Sequence, residues 1–518
     1  MTRSYDAVVV GGGATGTGLV RDLAMRGLRC LLVEQGDLCH GTTGRFHGLL
    51  HSGARYVVRD PLSARECMVE NRVLRRIAAA CVEDTGGLFC WLDGDPEDYP
   101  EQFLAGCQRA GIPVEEVPVS QSREPLLGPR LRRAFAVPDA TIQPFDLAAA
   151  NVRSAEAYGA VVHRYRRLVG VATRAGRVCE VEVEDVRSGE RERIETSLLV
   201  SAAGAWASQV AALVGVELRV TPGWGIMLVL SQRLCRAVVN RCRPPSDGDI
   251  VVPVGTVCIA GTTSRTEDTL DRYEISRQEV DLVLEAAAEM IPAVREARVL
   301  RVYAGARPLY DPGADRAASR ALTRAHTVVD HAPDGVEGFV SVVGGKLTTY
   351  RLMAEDAADL ACRKLGVDAP CRTAEEPLPG SEPGRHYWLG ARLEANERDR
   401  EGADADLVCE CELVTREGLE EFLASSPDAD LEDLLRALRL GMGPCQGAFC
   451  SLRAAGLLQR LRPRAGLEAL VPLVAFLEER AKGNRPVLWD DQARQHRLNE
   501  IIYREVLALD HALAPLPV

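Results

Sequence analysis

The N-terminal stretch constrains the fold more tightly than any other part of the chain. Residues 5–10, YDAVVV, form an apolar run of the length expected for a buried parallel strand. The glycines of Gly11-x-Gly13-x-x-Gly16 then open a helix that runs through Arg26, and residues 30–33 form a second apolar run that ends at Glu34. Strand, glycine turn, helix and strand make a complete βαβ unit. The glycines permit a tight turn and close backbone approach, the helix N-terminus faces a pyrophosphate, and Glu34 can accept hydrogen bonds from a ribose. Glycines alone would say little. In this frame they predict a dinucleotide site built from Gly11, Gly13, Ala14, Thr15, Gly16 and Glu34.

Later segments narrow the choice of dinucleotide. Residues 198–204, LLVSAAG, read as a strand ending in small residues, and 338–343 as a third strand running into GGKLTTYR at 344–351 and a helix to about Lys364. That second helix N-terminus suits the N1/O2 edge of a reduced flavin, which becomes anionic. FAD held within the fold is the expectation. Between these pieces, GRFHGLLHSGARY at 44–56 carries two histidines and two arginines among glycines, a poor composition for packing and a good one for lining a cofactor. A surface loop with incidental charge is the bland alternative.

Near the other end, Cys409 and Cys411 form C-x-C, and Cys445 and Cys450 form C-x4-C in a glycine-flanked loop. The chain has 16 cysteines, and most lie in apolar runs where a thiol acts as a small buried hydrophobe. These four sit where little packing could use them, and they read as metal ligands. Zinc sites favour C-x2-C spacing, so an iron–sulfur cluster is the better reading, with structural zinc left as the rival.

With 518 residues, two or three domains are expected, each with its own core. A net charge of −12 argues against nucleic-acid binding. Only Lys346, Lys364 and Lys482 are lysines, so a lysine inside a motif is noticeable. No signal peptide precedes the first strand, and no apolar run reaches the length of a membrane span. A cytoplasmic protein is expected. Residues 431–440, 466–482 and 496–513 read as helices, the last with Leu498, Ile501, Ile502, Val506, Leu509 and Leu513 on one stripe. That stripe is more often a docking face than a membrane surface.

GGGATGTG at 11–18, the 44–56 loop, GARPL at 305–309, GGKLTTYRLMAE at 344–355, VCECELVT at 408–415 and RLGMGPCQGAFC at 439–450 together resemble the FAD-dependent glycerol-3-phosphate dehydrogenases, in particular the A subunits of the anaerobic multi-subunit branch. The resemblance covers nearly the whole length. It implies an α/β fold (α+β overall): a Rossmann-like FAD domain over 1–371, with FAD pieces about 1–75, 140–215 and 330–370 and substrate-facing sheet between. A linker at 372–405, a module at 406–460 like bacterioferritin-associated ferredoxin and a helical tail at 461–518 would follow. It implies oxidation of sn-glycerol 3-phosphate to dihydroxyacetone phosphate, FAD and a [2Fe–2S] cluster as cofactors, and a quinone as downstream acceptor. Two partners, a second subunit plus a membrane-associated iron–sulfur subunit, would attach the chain to the inner face of the membrane.

Residue by residue, the resemblance makes His51 the base and Arg307 the stabiliser of the developing alkoxide. Arg55, Tyr56, Lys346 and Thr348 become the phosphate set. Thr42, Thr43, Gly44, Arg45, His47, Gly204, Gly344, Gly345, Leu347 and Thr348 join the flavin contacts, and Cys409, Cys411, Cys445 and Cys450 hold the cluster. Arg351, a turn further on, reads as a structural ion pair. His47 and a water are rival bases. Two departures stand out: the last cysteine pair is C-x4-C where the ferredoxin-like module commonly has C-x2-C, and Trp224 occupies a position where related chains carry lysine, which would alter the pocket wall. Two other classes stay open: a flavin enzyme oxidising an amine or amino acid with the same fused module, and a non-enzymatic redox or iron sensor.

Overall fold

The computed structural model describes residues 3–121, 124–270, 273–310, 325–399 and 406–506. A six-stranded sheet runs in the order Val161–His163, Cys30–Val33, Ala7–Val10, Leu199–Ser201, Phe339–Gly344, His326–Asp330. All its pairings are parallel except the last, at the edge. Parallel strands are covered on both faces, and this is why they read as unbroken apolar runs. On one face the helices Ala14–Met25 and Tyr350–Leu365 bury Leu19, Leu23, Met353 and Ala357 against Val9, Leu32, Val200 and Val342. On the other, a four-stranded sheet (Arg3–Tyr5, Arg191–Thr196, Arg177–Asp185, Arg166–Arg174) packs Val181, Val183 and Ile194 on Val8, Leu31 and Leu199.

A larger, mostly antiparallel sheet of nine strands is assembled from residues 87–137 and 221–309. Its longest pair, Thr221–Leu230 and Val299–Leu309, lies at one end of the sheet and is in register from Thr221 opposite Leu309 to Val229 opposite Arg301. The helix Arg277–Met290, closed at its start by a Ser276/Glu279 capping box, covers one face through Val280, Val283 and Ala287. Arg307 therefore lies inside a strand, one residue before Pro308.

The cysteine module is a small hairpin, Leu407–Cys409 with Val414–Thr415, and the helices Arg416–Ser425, Leu431–Leu438 and Cys450–Leu461. Leu419, Leu431, Leu434, Leu440 and Ala454 form its core, joined by Leu473 and Phe476 of the helix Val471–Asn484. Charge holds it to the flavin-side body: Asp37 pairs with Arg164 at 3.0 Å and with Arg436 at 2.8 Å, and Arg439 reaches Gln143 at 2.7 Å. The segment expected to be linker is not loose throughout. Leu378 is fully buried beside Leu74 and Ile77, Arg21 donates to the carbonyls of Thr373 and Glu376, and Leu389–Asp399 is helical. Near the C-terminus the helix Asp490–Glu500 continues as wider turns over Ile501–Val506. Leu509 and Leu513 of the expected stripe lie outside the described residues. Among the described residues no helix is long and apolar enough to cross a membrane.

Candidate flavin and substrate site

A cavity of about 880 Å³ opens at the C-terminal ends of the parallel strands and extends beneath the larger sheet. This is where an open α/β sheet binds its ligand. Gly11 adopts φ 112°, and a Cβ there would stand 2.6 Å from the Ala202 carbonyl oxygen, so strand and turn touch only because the residue is glycine. In the helix that follows, the Ala14 amide donates to Thr43 Oγ1 at 3.1 Å, and the positive N-terminal end of the helix faces the cavity, where it suits an anion. Glu34 accepts from the amides of Gly12 (2.7 Å) and Gly36 (2.8 Å) while lining the cavity. Burial pushes its carboxyl up, and those amides oppose the shift. A cavity at a helix N-terminus beside a buried acid fits a dinucleotide.

Most of the residues expected from the sequence meet on this one cavity: Gly11, Gly13, Ala14, Thr15, Glu34, Thr42, Thr43, His47, His51, Arg55, Tyr56, Gly204, Arg307, Gly344, Gly345, Lys346, Leu347 and Thr348 all line it. Three do not. Gly16 and Gly44 serve close packing instead, since a Cβ on Gly16 would stand 1.8 Å from Gly11 O and one on Gly44 2.3 Å from Cys39 O. Arg45 offers only its main chain, against which Gly305 packs so closely that a Cβ would stand 2.2 Å from its oxygen.

Arg307 is held by the protein before any ligand arrives. One terminal nitrogen donates to the carbonyls of Gly223 (3.2 Å) and Trp224 (3.4 Å), and the other to the Thr262 hydroxyl and the Thr263 carbonyl (3.2 Å). Gly225 makes the room, because a Cβ there would come within 2.5 Å of the guanidinium. Lys346 stands at the start of the turn Leu347–Thr349, at the head of the helix Tyr350–Leu365, with its ammonium 5.1 Å from the Tyr56 ring centroid. Arg55 reaches Asp249 at 3.4 Å, and Thr348 accepts from the His51 amide at 3.1 Å.

Two histidines stand between these cations. The His47 and His51 ring centroids are 6.0 Å apart, and His51 lies 5.5 Å from Tyr56. Burial first, and then Arg307 and Arg55, hold His47 down to about 3. His51 is held well below its ordinary value by burial, His47, Arg55 and Lys346. Both rings are neutral at working pH. His47 Nδ1 accepts from the Leu49 amide at 3.2 Å, so its proton sits on Nε2 and it can only donate from that atom.

Trp224 is buried away from the cavity, stacked on Tyr273 at 5.1 Å with its indole donating to Thr269 O. It does not alter the pocket wall as a side chain. Arg351 is also clear of the cavity, bound to Glu70 at 2.6 Å and to Glu355. The sequence reading missed Thr262, Ser246, Arg166 and Trp206, which line the cavity from distant strands and turns.

Among the described residues no group of three or more His, Cys, Asp or Glu is set to hold a metal ion. The four expected thiols nevertheless perturb one another: Cys445 is lowered by its neighbours Cys411 and Cys450, and Cys409 by Cys450. Four thiols close enough to perturb one another are a donor set chemically suited to an iron–sulfur centre. Gly443 packs so tightly that a Cβ would lie 2.3 Å from Cys411 Cβ.

The FAD dependent oxidoreductase family model matches residues 6–359. The A subunit of anaerobic glycerol-3-phosphate dehydrogenase from Escherichia coli K12 is 41% identical, over 98% of both chains. The A1 subunit of the Haloferax volcanii enzyme is 43% identical, over 98% of this chain and 92% of its own. Among solved structures, the glycerol-3-phosphate dehydrogenase of Bacillus halodurans complexed with FAD superimposes with a TM-score of 0.58 at 21% identity, covering 97% of this chain and 94% of that one. At that identity the likeness bears on the fold.

Proposed function

We propose, since the chain belongs to the FAD-dependent oxidoreductase family and within it to the A subunits of anaerobic glycerol-3-phosphate dehydrogenase, that it is the catalytic subunit oxidising sn-glycerol 3-phosphate to dihydroxyacetone phosphate. The observation that carries this reading is the convergence of Arg55, Lys346 and Arg307 on the cavity where His51 is held neutral. When bound, FAD supplies the hydride acceptor, and a [2Fe–2S] centre on Cys409, Cys411, Cys445 and Cys450 supplies single-electron transfer toward partner subunits and quinone.

The protein's own part is binding, orientation and proton handling. Arg55 and Lys346, with Tyr56 and Thr348, bind the phosphate dianion. Arg307, its guanidinium fixed by carbonyls, faces the C2 oxygen and stabilises negative charge as the hydroxyl proton departs. His51 takes that proton, and His47 donates from Nε2 to hold the substrate or cofactor edge. Substrate binding assists the base: a dianion beside Arg55 and Lys346 offsets the charges that depress His51 and so raises its proton affinity in the complex. A flavin enzyme acting on amines would have no use for this paired phosphate clamp. Its relatives are named as single subunits of a larger enzyme, so the chain works beside others, and attachment to the inner membrane face through them is part of the proposal.

The test is a product assay on the FAD-loaded chain with a dye acceptor. Stoichiometric dihydroxyacetone phosphate from glycerol 3-phosphate, and no carbonyl product from glycerol, is expected. Ammonia release from amino acids at a comparable rate would overturn the assignment.

A further inference from the structure

Alternate residues of a strand share one side, so the strand Val299–Leu309 presents Arg301, Tyr303, Gly305 and Arg307 on the same face. Arg307 lines the cavity, and Tyr303 donates to the Phe46 carbonyl at 2.8 Å on the cavity's wall. Arg301 lies about 20 Å along the strand from Arg307, at roughly 3.3 Å per residue. There it meets Arg480, from the helix Val471–Asn484. Arg480 donates to the side-chain oxygen of Gln446 at 3.1 Å, and its guanidinium stands 2.9 Å from where a Cβ on Gly441 would be. It is within electrostatic reach of Cys445, Cys450 and Arg301.

Apart from the ring of Tyr303 at 5.7 Å from Arg301 and that of Phe476 at 5.2 Å from Arg480, these two cations have little compensation. Among the described residues neither has a carboxylate within ion-pair distance, and the Nε of Arg301 is buried without a hydrogen-bond partner. Glu479, the nearest acid acting on both, is exposed and bonded to Lys482 at 2.7 Å. Two half-buried guanidinium groups side by side repel each other, an arrangement that is costly unless an anion stands against them. The cysteine row supplies one. Four thiolates, two sulfides and two ferric ions sum to two negative charges, and reduction adds a third.

We propose that Arg480, backed by Arg301, is the counter-charge of the iron–sulfur centre, favouring its more negative, reduced form and so setting its potential. The proposal rests on the reading of Cys409, Cys411, Cys445 and Cys450 as a [2Fe–2S] site. Neither arginine is a ligand; Arg480, seated against Gln446 and Gly441 of the cysteine loop, acts through the field it places at the thiolates.

The test is an anaerobic redox titration of the full chain, loaded with FAD and iron–sulfur, followed by electron paramagnetic resonance. R480Q should disfavour reduction at least tenfold, a fall in midpoint of about 59 mV for one electron, and R301Q by less, while R480K stays near wild type. R480Q with an intact spectrum and an unchanged midpoint would overturn the proposal, as would R480K shifting as far as R480Q, which would assign the effect to packing. Should R480Q lose iron, R301Q decides, and an unchanged midpoint there would overturn the proposal. Absence of iron, sulfide and a reduced-state signal in the wild-type chain would instead sink the cluster reading itself.

Discussion

Replacing Gly225 with alanine tests whether the position of Arg307, and not merely its presence, matters. The new methyl would lie 2.5 Å from one guanidinium nitrogen, 2.7 Å from the other and 2.5 Å from the Thr263 carbonyl oxygen. The side chain could swing away, but the carbonyl belongs to the backbone, so the strand must shift as well. Overpacking of this kind costs about 1–3 kcal/mol of stability. Displacing the guanidinium also forfeits one or two charge-assisted hydrogen bonds to the reacting oxygen, each worth about 1.5–3 kcal/mol. A loss of about 2.7 kcal/mol of transition-state stabilisation is two factors of ten in rate. Gly225→Ala is therefore expected to lower kcat/KM for glycerol 3-phosphate about 100-fold while FAD content stays at the wild-type level. The assay is stopped-flow flavin bleaching with a parallel thermal melt. Wild-type kcat/KM together with a wild-type melting temperature would refute the argument that Gly225 fixes the guanidinium.

Other variants separate the remaining roles. His51→Asn should cut kcat by about 10²- to 10⁴-fold with a smaller change in KM, and should remove the acid limb of the kcat–pH profile; an unchanged limb would pass the base role to another group. Arg351→Ala removes a guanidinium from buried Glu70, costs about 3–5 kcal/mol of stability and leaves KM alone, so a raised KM would contradict its structural role. Cys450→Ser should abolish iron and sulfide content yet leave flavin bleaching by substrate intact; retained iron would remove Cys450 from the cluster. For the flavin-free chain, His47 is neutral in the fold down to about 3 but protonates near 6.5 when unfolded, so the unfolded state binds the extra proton. His47 should then contribute a fall in stability of about 1.4 kcal/mol per pH unit as pH drops from about 6.5 toward about 3, and His47→Gln should lessen the slope of urea midpoints against pH by that share.

What the sequence revealed and what it hid follow from distance along the chain. The βαβ unit was legible because strands buried on both faces leave an unbroken apolar run, and because the Gly11 turn needs a residue with no Cβ. The loop at 44–56 was legible because histidine and arginine among glycines have no packing use. Thr262, Ser246 and Arg166 carried no local signal: each is an ordinary polar residue until the two sheets meet. Gly16, Gly44 and Arg45 sit in motif positions yet serve the packing behind the cavity wall. Trp224 looked like a change to the pocket until its stacking on Tyr273 turned it into the core. The approach of Arg480 to Arg301 joins an edge strand of the larger sheet to a C-terminal helix, and nothing nearby in the sequence announces it.

The central claim is that the cation-lined cavity selects a phosphate-bearing secondary alcohol and passes its electrons to flavin. The most direct test is an anaerobic absorbance titration of the FAD-loaded chain with glycerol 3-phosphate, glycerol and glycine, following the flavin band and the iron–sulfur shoulder together. Rapid bleaching by glycerol 3-phosphate alone is the predicted result. Bleaching by glycine, or none by glycerol 3-phosphate in protein shown to hold FAD, would contradict it.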